Sequence, residues 1–247
     1  MVSSRPPFSH APGLRRTATI NADILARNIA ARVARQDSSE AASVDARADG
    51  YGHGLSAVVR AALASGVARV RVSTSSEMSG VEALGAIAVD DATGDLGLGI
   101  YGFLDDDLEA PLTLSSELVA VKPVPSGTGV SYGYTHRTEA PTTLGLVALG
   151  YADGIPRLTS NRAVVSVAGT RHPLVGRIAM DQFVIDLGDS VAHVGDPVVL
   201  FGAARNGHPT VREWADAAHR SPEDVTTGLG RRIARALVTD ESNGHGL

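Results

Sequence analysis

A chain of 247 residues that is 43% hydrophobic is long enough to bury one large core or two smaller ones. Its formal net charge of -5 leaves no sequence-wide basic footprint for nucleic acid, and the lack of cysteine excludes disulfides and thiol catalysis. The opening residues 1–7 hold no apolar segment of the secretory kind, and no uncharged run could span a bilayer. A cytoplasmic protein without membrane partners is therefore expected.

Residues 1–15, rich in Ser, Pro and Arg, read as a flexible leader. A strand over 17–20 leads into a helix over 22–33, with Asn21 as its N-cap and Ile24, Leu25, Asn28, Ile29 and Val33 at helical spacing. The next stretch organises the chain: Val44-Asp45-Ala46-Arg47-Ala48-Asp49-Gly50-Tyr51-Gly52-His53-Gly54, a short strand running into a loop of alternating glycines, then a helix over 55–63. In α/β folds the loop at the carboxyl end of such a strand is where ligands bind. By themselves the glycines are equally well explained as turn chemistry. A strand over 67–73 follows, then a helix carrying Met78, Val81 and Leu84, where Thr74 and Glu77 stand at capping-box spacing. Strands alternating with helices imply a parallel sheet covered by helices.

The alternation stops after the acidic run 90–95 and one more strand, expected over 98–102. From about residue 110 short β-branched segments (118–124, 144–149, 163–167, 183–187 and 198–201) are separated by Gly and Pro turns, so a mostly β domain is expected, interrupted by one helix over 210–218. The polar end of the chain reads as disordered.

Three compact clusters stand in the β region: Gly127-Thr128-Gly129-Val130-Ser131-Tyr132-Gly133, Leu149-Gly150-Tyr151-Ala152-Asp153-Gly154 and Val175-Gly176-Arg177-Ile178-Ala179-Met180-Asp181-Gln182. The first lacks the Lys-Ser/Thr ending and the helix of a phosphate loop. The histidines lack metal-ligand spacing, so no metal site is expected.

Together with Tyr51-Gly52-His53-Gly54, and in this order, the clusters resemble the alanine racemases. These are fold-type III enzymes that hold pyridoxal phosphate in a (β/α)₈ barrel followed by a β domain. The resemblance covers residues from about 16 to 85 and about 95 to 238. It implies that Tyr132 is the catalytic tyrosine, reaching the active site of a partner subunit in a homodimer. It implies that Tyr51 contacts the cofactor phosphate, that Tyr151 lines the substrate entrance, and that Met180 and Asp181 lie beside the carboxylate of a small amino acid substrate. His53 would be a supporting hydrogen-bonding residue rather than an acid or base. Arg231 stands near where many members place a tyrosine on the phosphate, either replacing it or forming a solvated basic turn.

The chain departs from the family pattern in two ways. Arg47 occupies the position of the Schiff-base lysine, and a guanidinium stays protonated and is not a nucleophile. Lys122 is the only lysine, and its segment matches a β-domain strand, so covalent attachment of pyridoxal phosphate is not expected. A TIM barrel also takes about 250 residues, whereas only about 100 precede the β region here. The fold class implied is therefore α/β + β, a truncated (β/α) TIM-type barrel followed by a C-terminal mostly β domain. Its parts are a leader (1–15), a partial barrel joining the N-terminal units to the last barrel strand (16–108), the β domain (109–238) and a disordered tail (239–247). The activity implied is pyridoxal-phosphate-dependent interconversion of L- and D-alanine, with Arg47 arguing against turnover. The alternative is a catalytically inactive homologue acting as a binding or dimerising module.

Overall fold

The computed structural model describes residues 16–36, 41–104 and 108–240. The first strand, β1 (Thr17–Asn21), runs into helix α1 (Ala22–Val33), whose first turn is capped as expected: the Asn21 side chain accepts from the backbone N–H of Asp23 and of Ile24. Ile24, Leu25, Asn28 and Ile29 form its buried face. Asn28 can sit there because its amide donates to the carbonyls of Ile100, at 2.9 Å, and Glu109, at 2.7 Å.

β2 (Ser43–Asp45), the short helical segment α2 (Arg47–Tyr51) and helix α3 (Leu55–Ala64) form the first parallel crossover, ending in β3 (Arg69–Arg71). Helix α4 (Ser75–Ala83), closed by the Thr74–Glu77 capping box, leads to β4 (Ile87–Val89). The three strands pair in parallel with Val44, Val70 and Ala88 in register. Among the described residues this is an open three-stranded sheet, extended at its β2 edge by a single bridge from Ser43 to Asp95. The strand expected over 98–102 is instead a 3₁₀ turn, Leu98–Tyr101. Gly97 and Gly102 bracket it with φ near +70°, which curls the chain and drives Ile100 and Tyr101 into the core.

The β region opens with β5 (Leu112–Val124), which starts six residues earlier than expected because Leu112 and Leu114 already alternate with Thr113 and Ser115. A small hairpin, β6 (Gly129–Val130) and β7 (His136–Arg137), precedes β8 (Thr142–Val147), β9 (Val164–Val167), β10 (Thr170–Val175), β11 (Phe183–Gly188) and β12 (Pro197–Phe201). β12 pairs with both β9 and β5, so β12-β9-β10-β11-β8-β5 closes into a six-stranded antiparallel barrel. Closure removes the edges that such strands would otherwise expose. Helices α5 (Val211–Ala218) and α6 (Pro222–Thr227) follow, then β13 (Ala234–Val238). Trp214 on α5 is fully buried against Phe201 and donates its indole N–H to the Val164 carbonyl at 2.9 Å.

β1, expected at the head of the parallel segment, is hydrogen-bonded between β5 and the unforeseen β13, antiparallel to the first and parallel to the second. The closed barrel of the described residues is thus the antiparallel one, and their parallel part is an open sheet. The leader and residues 241–247 of the tail lie outside the described residues, whereas Asp240 is held by Arg27 at 2.6 Å and by Asn21. No helix among the described residues is long and apolar enough to cross a membrane.

Candidate active site

The carboxyl end of β2 meets the glycine loop at an unusual piece of backbone. Ala48, Asp49 and Tyr51 all take left-handed conformations around Gly50, with φ between 51° and 62°. For residues with a Cβ this costs roughly 1–2 kcal/mol each, so the surroundings must impose it. They do so through Asp49, whose N–H donates to Glu77 and whose carboxylate accepts from Leu55 N–H at the start of α3.

This loop folds Arg47 back onto the strand end. The Asp45 carboxylate, with its side chain 2% exposed, accepts from Arg47 Nε at 2.9 Å and Nη2 at 2.6 Å, a bidentate pair. The Tyr51 hydroxyl donates to Asp45 at 2.9 Å and accepts from Arg47 Nη2 at 3.0 Å. Arg71 from β3 stands 3.5 Å from the same carboxylate and 3.4 Å from Asp95. Tyr101 donates to the Asp45 backbone carbonyl at 2.6 Å. Burial works against the charge on Asp45, but the hydrogen bonds from Arg47 and Tyr51 outweigh it and hold the carboxyl below its usual range. Burial and the same carboxylate push Tyr51 up, keeping its hydroxyl protonated. Arg47 is driven further into its protonated form, chiefly by its bonds to Asp45.

His53 is buried against Tyr101 and Phe103, with Nδ1 facing the carbonyls of Gly50 and Tyr51. Burial lowers its pKa to about 4, with the Arg235 charge adding to the effect and the two backbone bonds opposing it. It is therefore neutral at pH 7 and buttresses the loop.

The structure joins three of the four motifs around the 226–232 turn. Gly52 packs against the Thr226 carbonyl at the end of α6, and Gly154 against the carbonyl of Gly228; at both a Cβ would collide with backbone. Gly150 lies in the same way against Ala179 and Met180. Asp153 is fully buried and pairs with Arg232 at 3.1 Å, and Arg232 also holds Asp181 at 2.6 Å. Tyr151 is 39% exposed with Arg157 over its ring, and Met180 is 53% exposed. Arg231 is exposed, and its neighbour Arg232 makes the ion pairs.

The remaining motif packs on the third: the Ser131 hydroxyl donates to the Arg177 carbonyl at 2.6 Å. Its tyrosine does not face Arg47. Tyr132 is 74% exposed in a cleft of about 320 Å³ shared with Tyr134, Gln182 and Phe183. Arg47 and Tyr51 open on a different cleft, of about 470 Å³, with Ser73, Thr74 and Glu77. No group of three or more metal-ligating side chains is assembled among the described residues.

Sequence reasoning gave no role to Asp45, Arg71, Asp95 or Arg232. The available signal was an acid ending a buried strand two residues before an arginine, which demands a partner for that acid.

The family model for the alanine racemase C-terminal domain matches residues 111–237. The chain is 47% identical over 131 residues to the alanine racemase of Thermobifida fusca, covering 53% of this chain and 35% of that protein. It is also 47% identical over 136 residues to that of Streptomyces coelicolor, covering 55% and 35%. The chain thus spans about a third of the length of these curated relatives. Among solved structures, alanine racemase from D-cycloserine-producing Streptomyces lavendulae superposes with TM-score 0.84 at 25% identity, covering 96% of this chain and 100% of that one. The Bartonella henselae enzyme, solved with covalently bound pyridoxal phosphate, shares the fold at TM-score 0.76 and 17% identity, covering 92% and 100%. A family match over more than half of its residues makes this chain a member of the alanine racemase family.

Proposed function

We propose that this chain is an alanine racemase relative without racemase turnover, whose β domain (109–238) associates with a second copy and whose segment 16–108 is a shortened barrel. The observation that carries the reading is Arg47. It stands at the lysine position of the motif, and its guanidinium is clamped in a bidentate pair by Asp45. The residues at this end of the site do not fit covalently held pyridoxal phosphate. There is no amine, and the Tyr51 hydroxyl, expected on the phosphate, is engaged by Asp45 and Arg47. Lys122, the only lysine, lies on β5.

The exposed Tyr132 and its neighbour Tyr134 support association, since a tyrosine meant for a partner's site is uncovered in a single protomer. A homodimer binding a small amino acid in the cytoplasm is the corresponding assembly. A second reading, residual pyridoxal-phosphate-dependent isomerase activity, is favoured by the retention of Tyr51, Tyr132, Tyr151, Met180 and Asp181, with Arg231 as a phosphate contact.

The test is spectroscopic. Pyridoxal phosphate added to the full chain is expected to keep the absorbance spectrum of the free cofactor. A stoichiometric shift of that spectrum would overturn the reading.

A further inference from the structure

Asp45 has so far been only the partner of Arg47, yet its surroundings give it a larger part. A carboxylate that is 2% exposed stays charged only with good partners; Arg47 supplies its backbone N–H and a bidentate side-chain pair, and Tyr51 a further bond. We propose that Asp45 and Arg47 are one unit, an ion pair built on a buried carboxylate, that closes the pocket to carbonyl chemistry. An amine restored at position 47 then stays unreactive toward an aldehyde until the Asp45 carboxylate is removed as well. Asp45 is the positioning residue: it pins the cation at position 47 to the strand end and turns the Tyr51 hydroxyl inward. This inference rests on the reading of position 47 given above.

The physical reason is that only an unprotonated amine adds to an aldehyde, while a carboxylate at hydrogen-bond distance favours the ammonium. An ammonium at position 47 loses the bidentate fork of the guanidinium but remains the nearest single positive charge that the Asp45 carboxylate can hold. The other groups around the carboxylate do not offset it. Arg71 from β3 is shared with Asp95, Tyr101 from the 3₁₀ turn bonds the backbone carbonyl, and Tyr51 stays protonated. Glu77 from α4, across the cleft, adds negative charge of its own.

The experiment uses the full-length chain as wild type, R47K and D45N/R47K, each mixed with pyridoxal phosphate and reduced with borohydride. In the trapping reaction the amine nitrogen adds to the aldehyde carbon and water leaves. Borohydride then delivers hydride to the carbon of the C=N bond, and the nitrogen takes a proton from water. Peptide mass mapping separates position 47 from Lys122 and the N-terminal amine. Labelling at position 47 of D45N/R47K at pH 7 is expected to exceed that of R47K at least ten-fold, with R47K catching up only in alkaline buffer. Equal labelling of the two variants at pH 7 overturns the proposal. So does a lack of labelling at position 47 in both D45N/R47K and D45V/R47K when both melt cooperatively. Racemisation by the wild type would instead overturn the proposed function, so the two failures are distinct.

Discussion

Asp45→Ala is expected to destabilise the full chain by about 3 kcal/mol, because deleting the buried carboxylate takes an acceptor from Arg47, Tyr51 and Arg71 at once. Arg47, with 38% of its side chain exposed, can recover part of its solvation, whereas Tyr51 and Arg71 are more enclosed and lose a shared acceptor. The size of the chain converts that loss to a fall in melting temperature of roughly 6–12 °C. The effect should also depend on acid. The Asp45 carboxyl lies below its usual range in the folded chain, so its contribution is present above the unfolded carboxylate pKa and lost as pH falls through the folded one. Thermal melts of wild type and variant at neutral pH decide the matter: a difference within about 2 °C would mean that the pair contributes nothing to the fold.

The second large effect is acid destabilisation through His53. Its pKa is about 4 in the folded chain against an ordinary value of 6.5, set first by burial. Below pH 6.5 the unfolded chain takes up a proton that the folded chain refuses, so stability falls with pH until the folded histidine also titrates near 4. Across the two units from pH 6.5 to 4.5 this amounts to about 2–3 kcal/mol. Depressed carboxyls such as Asp45, Glu77 and Glu213 add their own losses at lower pH, so the comparison must be with a variant. Urea unfolding of His53→Asn at pH 7 and 4.5 should show a stability change smaller than that of wild type by this amount. Parallel pH dependences would contradict the assignment.

What was legible in the sequence is local and periodic. Asn21 before the stripe of α1, and Thr74 with Glu77 before α4, announce helix starts through side chains that satisfy free backbone N–H groups. The β-branched runs of the barrel strands were readable because one face of each is buried. β10 was hidden because Arg171, His172 and Pro173 interrupt its apolar alternation, although His172 and Leu174 share the inner face. β13 carries Arg235 and half-exposed side chains, so it has little pattern of its own and exists through pairing with β1. The 3₁₀ turn at Leu98–Tyr101 has the apolar content of a strand, and only the backbone of Gly97 and Gly102 distinguishes the two.

The candidate site was legible as a set of motifs but not as a charge network. Tyr51, Gly52, Asp153, Met180 and Asp181 fall together because three-dimensional packing on the 226–232 turn unites segments far apart in the chain. The acid at the end of the buried β2 demands a partner, but its two-residue spacing to Arg47 does not name that partner, since an extended strand would carry Arg47 onward along the same face. The left-handed turn through Ala48, Asp49 and Gly50 folds the arginine back, and that conformation is invisible in residue types that usually avoid it.

On the proposed reading the Arg47–Asp45 pair stands in place of catalytic turnover. Its most direct test is L-alanine incubated in deuterated water with the full chain and pyridoxal phosphate, with enantiomer composition and deuterium at Cα read from the same sample. Neither D-alanine nor Cα deuterium is expected beyond a protein-free control. D-alanine forming above that control, and lost in Tyr132→Phe, would contradict that reading.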